Sequence, residues 1–181
     1  MPIDIYQKLA NDRILFLCNS IDDKVSTDIV ATLLLKDAED SSKKITLFIN
    51  SDGGDIRNAL MIYDMINVID APVETVCIGS AMDEAAIILA AGAPGMRFAT
   101  KNAVITAGQL VHEWTAYSDL TNAKQVLDQA IDDNKRMMET FAKSTKKTLK
   151  QVMIDLERKV FMNATQAVKY GLIDKVIAFK K

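Results

Sequence analysis

Hydrophobic residues along the chain gather in short runs, and these runs alternate with stretches whose apolar positions recur at helical spacing. The apolar runs predict strands over residues 13–18, 45–49, 73–78, 96–99, 103–107 and 172–177. We expect the first strand to be buried on both faces and the next two to be buried as well. The helical spacing predicts helices over residues 22–35, 59–69, 85–91, 120–143, 148–159 and 164–170. Strands that alternate with helices predict right-handed βαβ units around a mostly parallel sheet.

The stretch from Val76 to Ala93 is the one around which the rest is organised. It reads as the end of a strand, a glycine turn at Gly79 and an apolar helix that stops at Gly92. Asp83 and Glu84 interrupt this apolar run. Charged groups in apolar surroundings cost free energy unless a partner group compensates their charge. The Ser-x-x-acid spacing from Ser80 to Asp83 matches a capping box, and acids at a helix start contribute ~0.3–1 kcal/mol each. A capped helix start and a functional site are both open interpretations at this point.

A second candidate position is the turn at Gly53 and Gly54, directly after the strand over residues 45–49. Sites in open α/β sheets form at the carboxyl ends of strands. Backbone N–H groups of adjacent glycines can bind an anion or a developing oxyanion. The alternative is a plain tight turn into the next helix.

The composition and charge of the chain exclude several classes of function. A net charge of −2 gives no basic footprint for nucleic acid, and no apolar run is long enough to span a membrane. Cys18 and Cys77 each lie in or beside a strand pattern, so we expect two buried thiols and a reducing compartment such as the cytoplasm. No zinc spacing, phosphate loop or dinucleotide fingerprint occurs, so no metal or cofactor is expected.

Nucleophilic catalysis by serine finds little support in the residues alone. A triad needs a histidine placed between a serine and an acid, and the Gly-x-Ser-x-Gly elbow pattern is absent. The one histidine, His112, lies beside Trp114 in an irregular segment, where a lone histidine is more often a surface or packing residue.

Several motifs nevertheless resemble a known family over almost the full chain. They are Leu47–Gly54 (Leu-Phe-Ile-Asn-Ser-Asp-Gly-Gly), Cys77–Ala81, Leu89–Ala93, Phe161–Ala164 and Tyr170–Asp174. With these segments the chain resembles ClpP, the proteolytic subunit of the Clp protease. The resemblance implies a ClpP/crotonase-like α/β spiral of ββα units with a projecting handle helix. It also implies a single domain over 1–181, with a head over 1–107 and 160–181 and a handle over about 109–150.

The resemblance fails at the positions that carry the family's chemistry. The nucleophilic serine corresponds to Asp83, the catalytic histidine to Gly108 and the catalytic aspartate to Lys159. The oxyanion-hole positions correspond to Gly54 and Glu84, and Asp52 replaces a proline beside the two glycines. The resemblance therefore implies a catalytically inactive, ClpR-like subunit with a structural or regulatory role.

By the same resemblance, the partners would be other subunits and an unfoldase. We expect a heptameric ring, homomeric or mixed with an active ClpP paralogue, and a docking surface for an AAA+ Clp unfoldase around Phe48, Val68 and Ile78. Two further readings stay open. One is a crotonase-like acyl-CoA enzyme that uses Asp83 and Glu84 as acid and base. The other is a serine peptidase with a rearranged site.

Overall fold

The structure is a computed structural model that describes residues 5–110 and 119–178, with the backbone alone described at 120 and 121. Seven helices and seven strands lie in these ranges. The helices are α1 (Ile5–Asn11), α2 (Asp23–Glu39), α3 (Ile56–Val68), α4 (Glu84–Ala90), α5 (Leu120–Thr145), α6 (Leu149–Asp155) and α7 (Ala164–Tyr170). The strands are β1 (Ile14–Leu17), β2 (Ile45–Ser51), β3 (Val73–Ala81), β4 (Arg97–Thr100), β5 (Val104–Ala107), β6 (Val160–Asn163) and β7 (Lys175–Ile177).

The strands form one sheet in which parallel pairing dominates. Strands β1, β2, β3, β4 and β7 are neighbours in that order, and every pair among them is parallel. The end of β3 leaves this path and pairs with β5, where Ser80 lies opposite Val104. Strand β6 then pairs antiparallel with β5. The predicted α/β class is confirmed as a mixed α/β fold with parallel and antiparallel strands.

Local signals in the sequence fix where most helices begin and end. The side chain of Asp22 accepts a hydrogen bond from the Val25 N–H and starts α2, as its predicted start at 22 requires. Asn163 and Gln166 form a reciprocal capping box at the start of α7, and Gly171 ends that helix in the left-handed region with φ 98°. Helix α2 runs to Glu39, beyond its predicted end at residue 35.

The hydrophobic core is formed by the sheet, by helices α2, α3 and α4, and by buried residues of α5, α6 and α7. All seven residues of α4 are buried. Cys77 on β3 is fully buried, as predicted, and burial raises the pKa of its thiol to about 11. Both cysteines are free thiols.

Burial of the first strands differs from the prediction. Strands β1 and β2 alternate between buried and half-buried positions, so only one face of each is fully covered. The other face carries Phe16 and Phe48, whose rings stack at 5.3 Å, and Tyr6 of α1 packs edge-on against Phe16. The prediction of a buried thiol at Cys18 is wrong, because this residue follows the end of β1 and is exposed.

The predicted glycine turn at Gly79 is also wrong. Strand β3 continues to Ala81, so Gly79 and Ser80 lie within it. A Cβ atom at Gly79 would collide with the Oδ1 atom of Asn50, which shows that the glycine permits close packing and does not make a turn here. The predicted capping box fails for the same reason, because Ser80 is in the strand and α4 starts four residues later.

The C-terminal half of the chain adds a strand that the sequence did not indicate. The helix predicted over 148–159 ends at Asp155, and residues 160–163 form β6 against β5.

The apolar positions that predict α5 differ in burial between the two halves of this helix. Met138 and Phe141 near its end are buried, whereas Leu127 and Ile131 are 46% and 57% exposed. None of the helices in the described residues is long and apolar enough to cross a membrane.

Candidate functional site

The candidate site lies where β2, β3 and β5 end and where α4 begins. The turn with Gly53 and Gly54 follows β2, and Asp83 and Glu84 follow β3. Met82 links the two turns, because its N–H donates to the Ser51 carbonyl at 3.0 Å. The parallel pairing of β2 with β3 thus brings together two positions that the sequence analysis had treated separately.

Asp83 occupies a strained backbone conformation at the turn between strand and helix. Its φ of 48° and ψ of −103° are rare for a residue other than glycine. Strand β5 holds this conformation, because the Asp83 N–H donates to the Thr106 carbonyl and to Thr106 Oγ1, both at 3.1 Å. A sharp, strained strand-to-helix turn of this kind is the geometry that presents a nucleophile in hydrolases.

The side chain of Asp83 is engaged with other side chains rather than with the helix. It makes no capping hydrogen bond to α4, so the interpretation of Asp83 as a helix cap is wrong for its side chain. Its Oδ1 atom accepts a hydrogen bond from Thr106 Oγ1 at 3.2 Å, and its Oδ2 atom lies 2.5 Å from Lys159 Nζ. Asp83 is 17% exposed and Lys159 is 40% exposed, so the ion pair is partly shielded from solvent.

Gly108 completes the group of three positions. A Cβ atom on Gly108 would lie 2.9 Å from the Cα atom of Lys159 and 3.2 Å from its Cβ atom. Because the nearest obstacle is backbone, any larger side chain at 108 requires the segment before β6 to move. The structure therefore brings Asp83, Gly108 and Lys159 together, although Lys159 is 76 residues from Asp83 in the chain.

Glu84 is the most buried ionisable group of the site. It is 8% exposed, and its Oε2 atom accepts a hydrogen bond from the Gly54 N–H at 3.1 Å. Burial raises the pKa of this carboxyl above its ordinary value, while hydrogen bonds from the N–H groups of Glu84 itself and of Gly54 oppose that rise. The negative charge of Asp83 raises the pKa further, and the positive charge of Lys159 lowers it.

The two glycines are required by this packing. Gly53 has a φ of 97°, and a Cβ atom there would lie 2.5 Å from Glu84 Oε2. Gly54 lies so close to the backbone of Ile21, with which it forms an isolated parallel bridge, that a Cβ atom would collide with it. The plain-turn interpretation is therefore incomplete, because the turn is shaped around the Glu84 carboxylate.

In the part of the chain that the structure describes, no imidazole stands beside a hydroxyl group of the site. Ser80 lies at the carboxyl end of β3, where its Oγ atom is hydrogen-bonded to Asn50 Oδ1 and lies 3.1 Å from Asp52 Oδ1. Thr106 is fully buried. His112 and Trp114 lie outside the described residues. Among the described residues, the titratable side chains of the site are two carboxylates and one ammonium group, which form an ion pair and a buried carboxylate.

Thr106 is a site residue that sequence reasoning missed. It holds both the backbone and the carboxylate of Asp83. The available signal was weak: Thr106 is a polar residue within the apolar run Val104–Ala107, and a buried hydroxyl needs a partner.

The proposed docking residues share partial exposure and an apolar character. Val68 is 73% exposed, Ile78 is 41% exposed and Phe48 is half-buried under Phe16. The aromatic contacts of Phe48 with Phe16, and of Phe16 with Tyr6, were not anticipated from the sequence.

Comparison with known proteins gives consistent matches over the whole chain. The family model for Clp protease matches residues 1–180. The chain is 36% identical to ATP-dependent Clp protease proteolytic subunit 1 of Tropheryma whipplei (strain Twist) over 179 residues, which are 99% of this chain and 86% of that protein. The same figures hold for ATP-dependent Clp protease proteolytic subunit 2 of Tropheryma whipplei (strain TW08/27).

Proposed function

The chain belongs to the Clp protease family, and we propose that it is a catalytically silent proteolytic-subunit homologue with a structural or regulatory role. One observation carries this proposal. The strained turn that would present a nucleophile presents the carboxylate of Asp83, and that carboxylate is bound to Lys159 and Thr106. We take Asp83, Gly108 and Lys159 as the equivalents of the serine, histidine and aspartate of a triad.

The chemistry of the site residues supports the proposal that the site is catalytically inactive. A carboxylate held by an ammonium group is a poor nucleophile toward an amide, and no imidazole stands beside it in the described residues. Loss of one member of a Ser-His-Asp triad alone costs about 10⁴-fold or more in rate. With three replacements, the described residues of the site contain no Ser-His-Asp arrangement to supply the nucleophile, the base and the leaving-group acid.

The alternative enzyme readings draw less support from the same contacts. An acyl-CoA enzyme would need a free acid and a free base, whereas Asp83 is bound to Lys159 and Glu84 is bound to Gly54. A rearranged peptidase would need an activated serine, and Ser80 is hydrogen-bonded to Asn50 and Asp52 in a strand.

The proposed setting is a ring of seven subunits, homomeric or mixed with a triad-complete ClpP, that works with an AAA+ Clp unfoldase in the cytoplasm. The exposed apolar residues Leu127 and Ile131 on α5, which we take as the handle, support contacts between subunits. The partly exposed residues Phe48, Val68 and Ile78 support docking of an apolar segment of the unfoldase.

A peptidase assay on the assembled protein tests the proposal. Native mass spectrometry first establishes the assembly, for which seven chains of 20.0 kDa give about 140 kDa. Fluorogenic short peptides are then incubated with this assembly and, as a positive control, with a triad-complete ClpP. We expect turnover no higher than that of the peptides incubated without protein, both for the wild type and for the Asp83→Ala variant. Turnover that Asp83→Ala leaves intact and Ser80→Ala abolishes would overturn the silent-subunit proposal, and a stable monomer would overturn the ring.

A further inference from the structure

The contact between Glu84 and the Gly53–Gly54 turn affects access to the site, in addition to the loss of the triad. The Gly54 N–H donates to the Oε2 atom of Glu84 at 3.1 Å. Backbone N–H groups aimed at a negatively charged oxygen form the arrangement that stabilises oxyanions in acyl-transfer enzymes. Here a side chain of the same chain fills that arrangement.

We propose that the Glu84 carboxylate occupies the oxyanion position of the site, holds the Gly53–Gly54 turn in place and so closes this position to a peptide carbonyl. The inference deepens the proposed silent function and rests on it, because it explains how the site is closed as well as disabled. A peptide carbonyl cannot accept from the Gly54 N–H while the Glu84 carboxylate accepts from it.

Packing around Glu84 holds its carboxylate against the Gly53–Gly54 turn. Glu84 is 8% exposed, so its carboxylate cannot swing into solvent without opening the start of α4. The carboxylate lies against Gly53 so closely that a Cβ atom there would overlap Oε2. The Ile21 backbone holds the turn from the other side, since the Ile21 N–H donates to the Gly53 carbonyl at 2.9 Å.

The charged groups around Glu84 leave its carboxylate with the Gly54 amide. Asp83 is adjacent but is bound to Lys159, whose positive charge also acts on Glu84. On the turn, Asp52 accepts from Ser80 and Asp55 accepts from the N–H groups at the start of α3. Glu84 thus has a partner in Gly54 that the neighbouring carboxylates do not share.

The sequence offers a direct probe of this contact. Gly53-Gly54 is the one Gly-Gly pair among the seven glycines of the chain. Protein labelled with glycine that carries ¹³C in its carbonyl and ¹⁵N in its amide therefore gives a single cross-peak in an HNCO spectrum, which is that of the Gly54 N–H. Its chemical shift and its exchange rate report on the acceptor of this hydrogen bond.

We expect the Gly54 cross-peak to move with pH as Glu84 titrates, with a midpoint above the ordinary range for a glutamate. Glu84→Gln keeps an acceptor of the same shape and removes the titration. Asp83→Asn serves as the matched control, keeping the titration and moving its midpoint to lower pH. Glu84→Ala removes the acceptor, and the Gly54 amide should then exchange roughly tenfold faster or more.

A Gly54 cross-peak that titrates equally in wild type and Glu84→Gln would overturn the inference, as would unchanged exchange in Glu84→Ala. Circular dichroism on each variant establishes that it is folded, and Glu84→Gln, which is nearly isosteric, keeps the test decisive if Glu84→Ala unfolds. The outcome is separate from that of the peptidase assay. Peptidase activity would refute the silent function alone, whereas a missing Glu84–Gly54 coupling would refute the occupation of the oxyanion position by Glu84 and leave the proposal of an inactive subunit intact.

Discussion

At the residue scale, the chemistry of the site follows from the different surroundings of two adjacent carboxylates. Asp83 is bound by a cation and a hydroxyl group, whereas Glu84 is buried and accepts a hydrogen bond from the Gly54 N–H. The partly exposed Asp83–Lys159 pair contributes little, ~0–1 kcal/mol, as is usual for ion pairs that solvent reaches. The burial of Glu84 is the costlier feature, because it penalises the ionised form.

The stability of the protein should therefore depend on the ionisation of Glu84. Its pKa is raised in the folded state, so the folded protein holds this proton more tightly than the unfolded chain. The stabilisation is complete below the unfolded value of 4.5 and is lost as pH rises through the folded pKa. Relative to wild type, Glu84→Gln should thus gain free energy of unfolding as pH rises from 4.5 to 8.

Urea unfolding of wild type and Glu84→Gln at several pH values measures this difference. Glu139→Gln on the exposed side of α5 is the control for removal of a surface charge, since the Glu139 side chain is 50% exposed. A difference between wild type and Glu84→Gln that stays constant or shrinks as pH rises would contradict the account.

At the scale of elements, the sequence predicts features that depend on neighbouring residues, such as helix caps. It does not predict the pairing of strands that lie far apart in the chain. Caps at Asp22 and Asn163 and the glycine at 171 lie next to the residues they act on, so a short window of sequence contains them. Strand β6 has no such signal. Its four residues are extended because β5 offers them a partner, and β5 lies more than 50 residues earlier. Likewise, the aromatic face of β1 and β2 is defined by α1, which the alternation of the strands does not reveal.

Helix α5 gives the clearest test at this scale, because its two halves have different surroundings. Met138 is 1% exposed and packs in the core, whereas Leu127 is 46% exposed. We expect Met138→Ala to lower the free energy of unfolding by about 2–5 kcal/mol. Leu127→Ala should cost less than ~1 kcal/mol within the subunit and should weaken the assembly if α5 contacts another subunit.

Denaturant unfolding measures the first effect and native mass spectrometry the second. Equal destabilisation of the subunit by both substitutions would show that the two halves of α5 are buried alike. That result would contradict the description of α5 as a helix that leaves the core toward its N-terminal half.

At the scale of the whole molecule, the sheet explains how residues far apart in the chain meet to form the ion pair of the site. The ends of β2, β3 and β5 bring Gly54, Asp83 and Gly108 to one edge, and the segment before β6 brings Lys159. Motifs in the sequence could identify the family. They could not reveal that Lys159 binds Asp83 or that Glu84 binds Gly54, because both contacts depend on the assembled sheet.

The central claim is that this family member has no activated nucleophile. Intact-mass spectrometry after treatment with a fluorophosphonate, which modifies activated serines, tests it most directly. Under conditions that modify a triad-complete ClpP fully, we predict that the mass of this chain stays unchanged. A stoichiometric adduct on Ser80 or on any other serine of the chain would contradict the account.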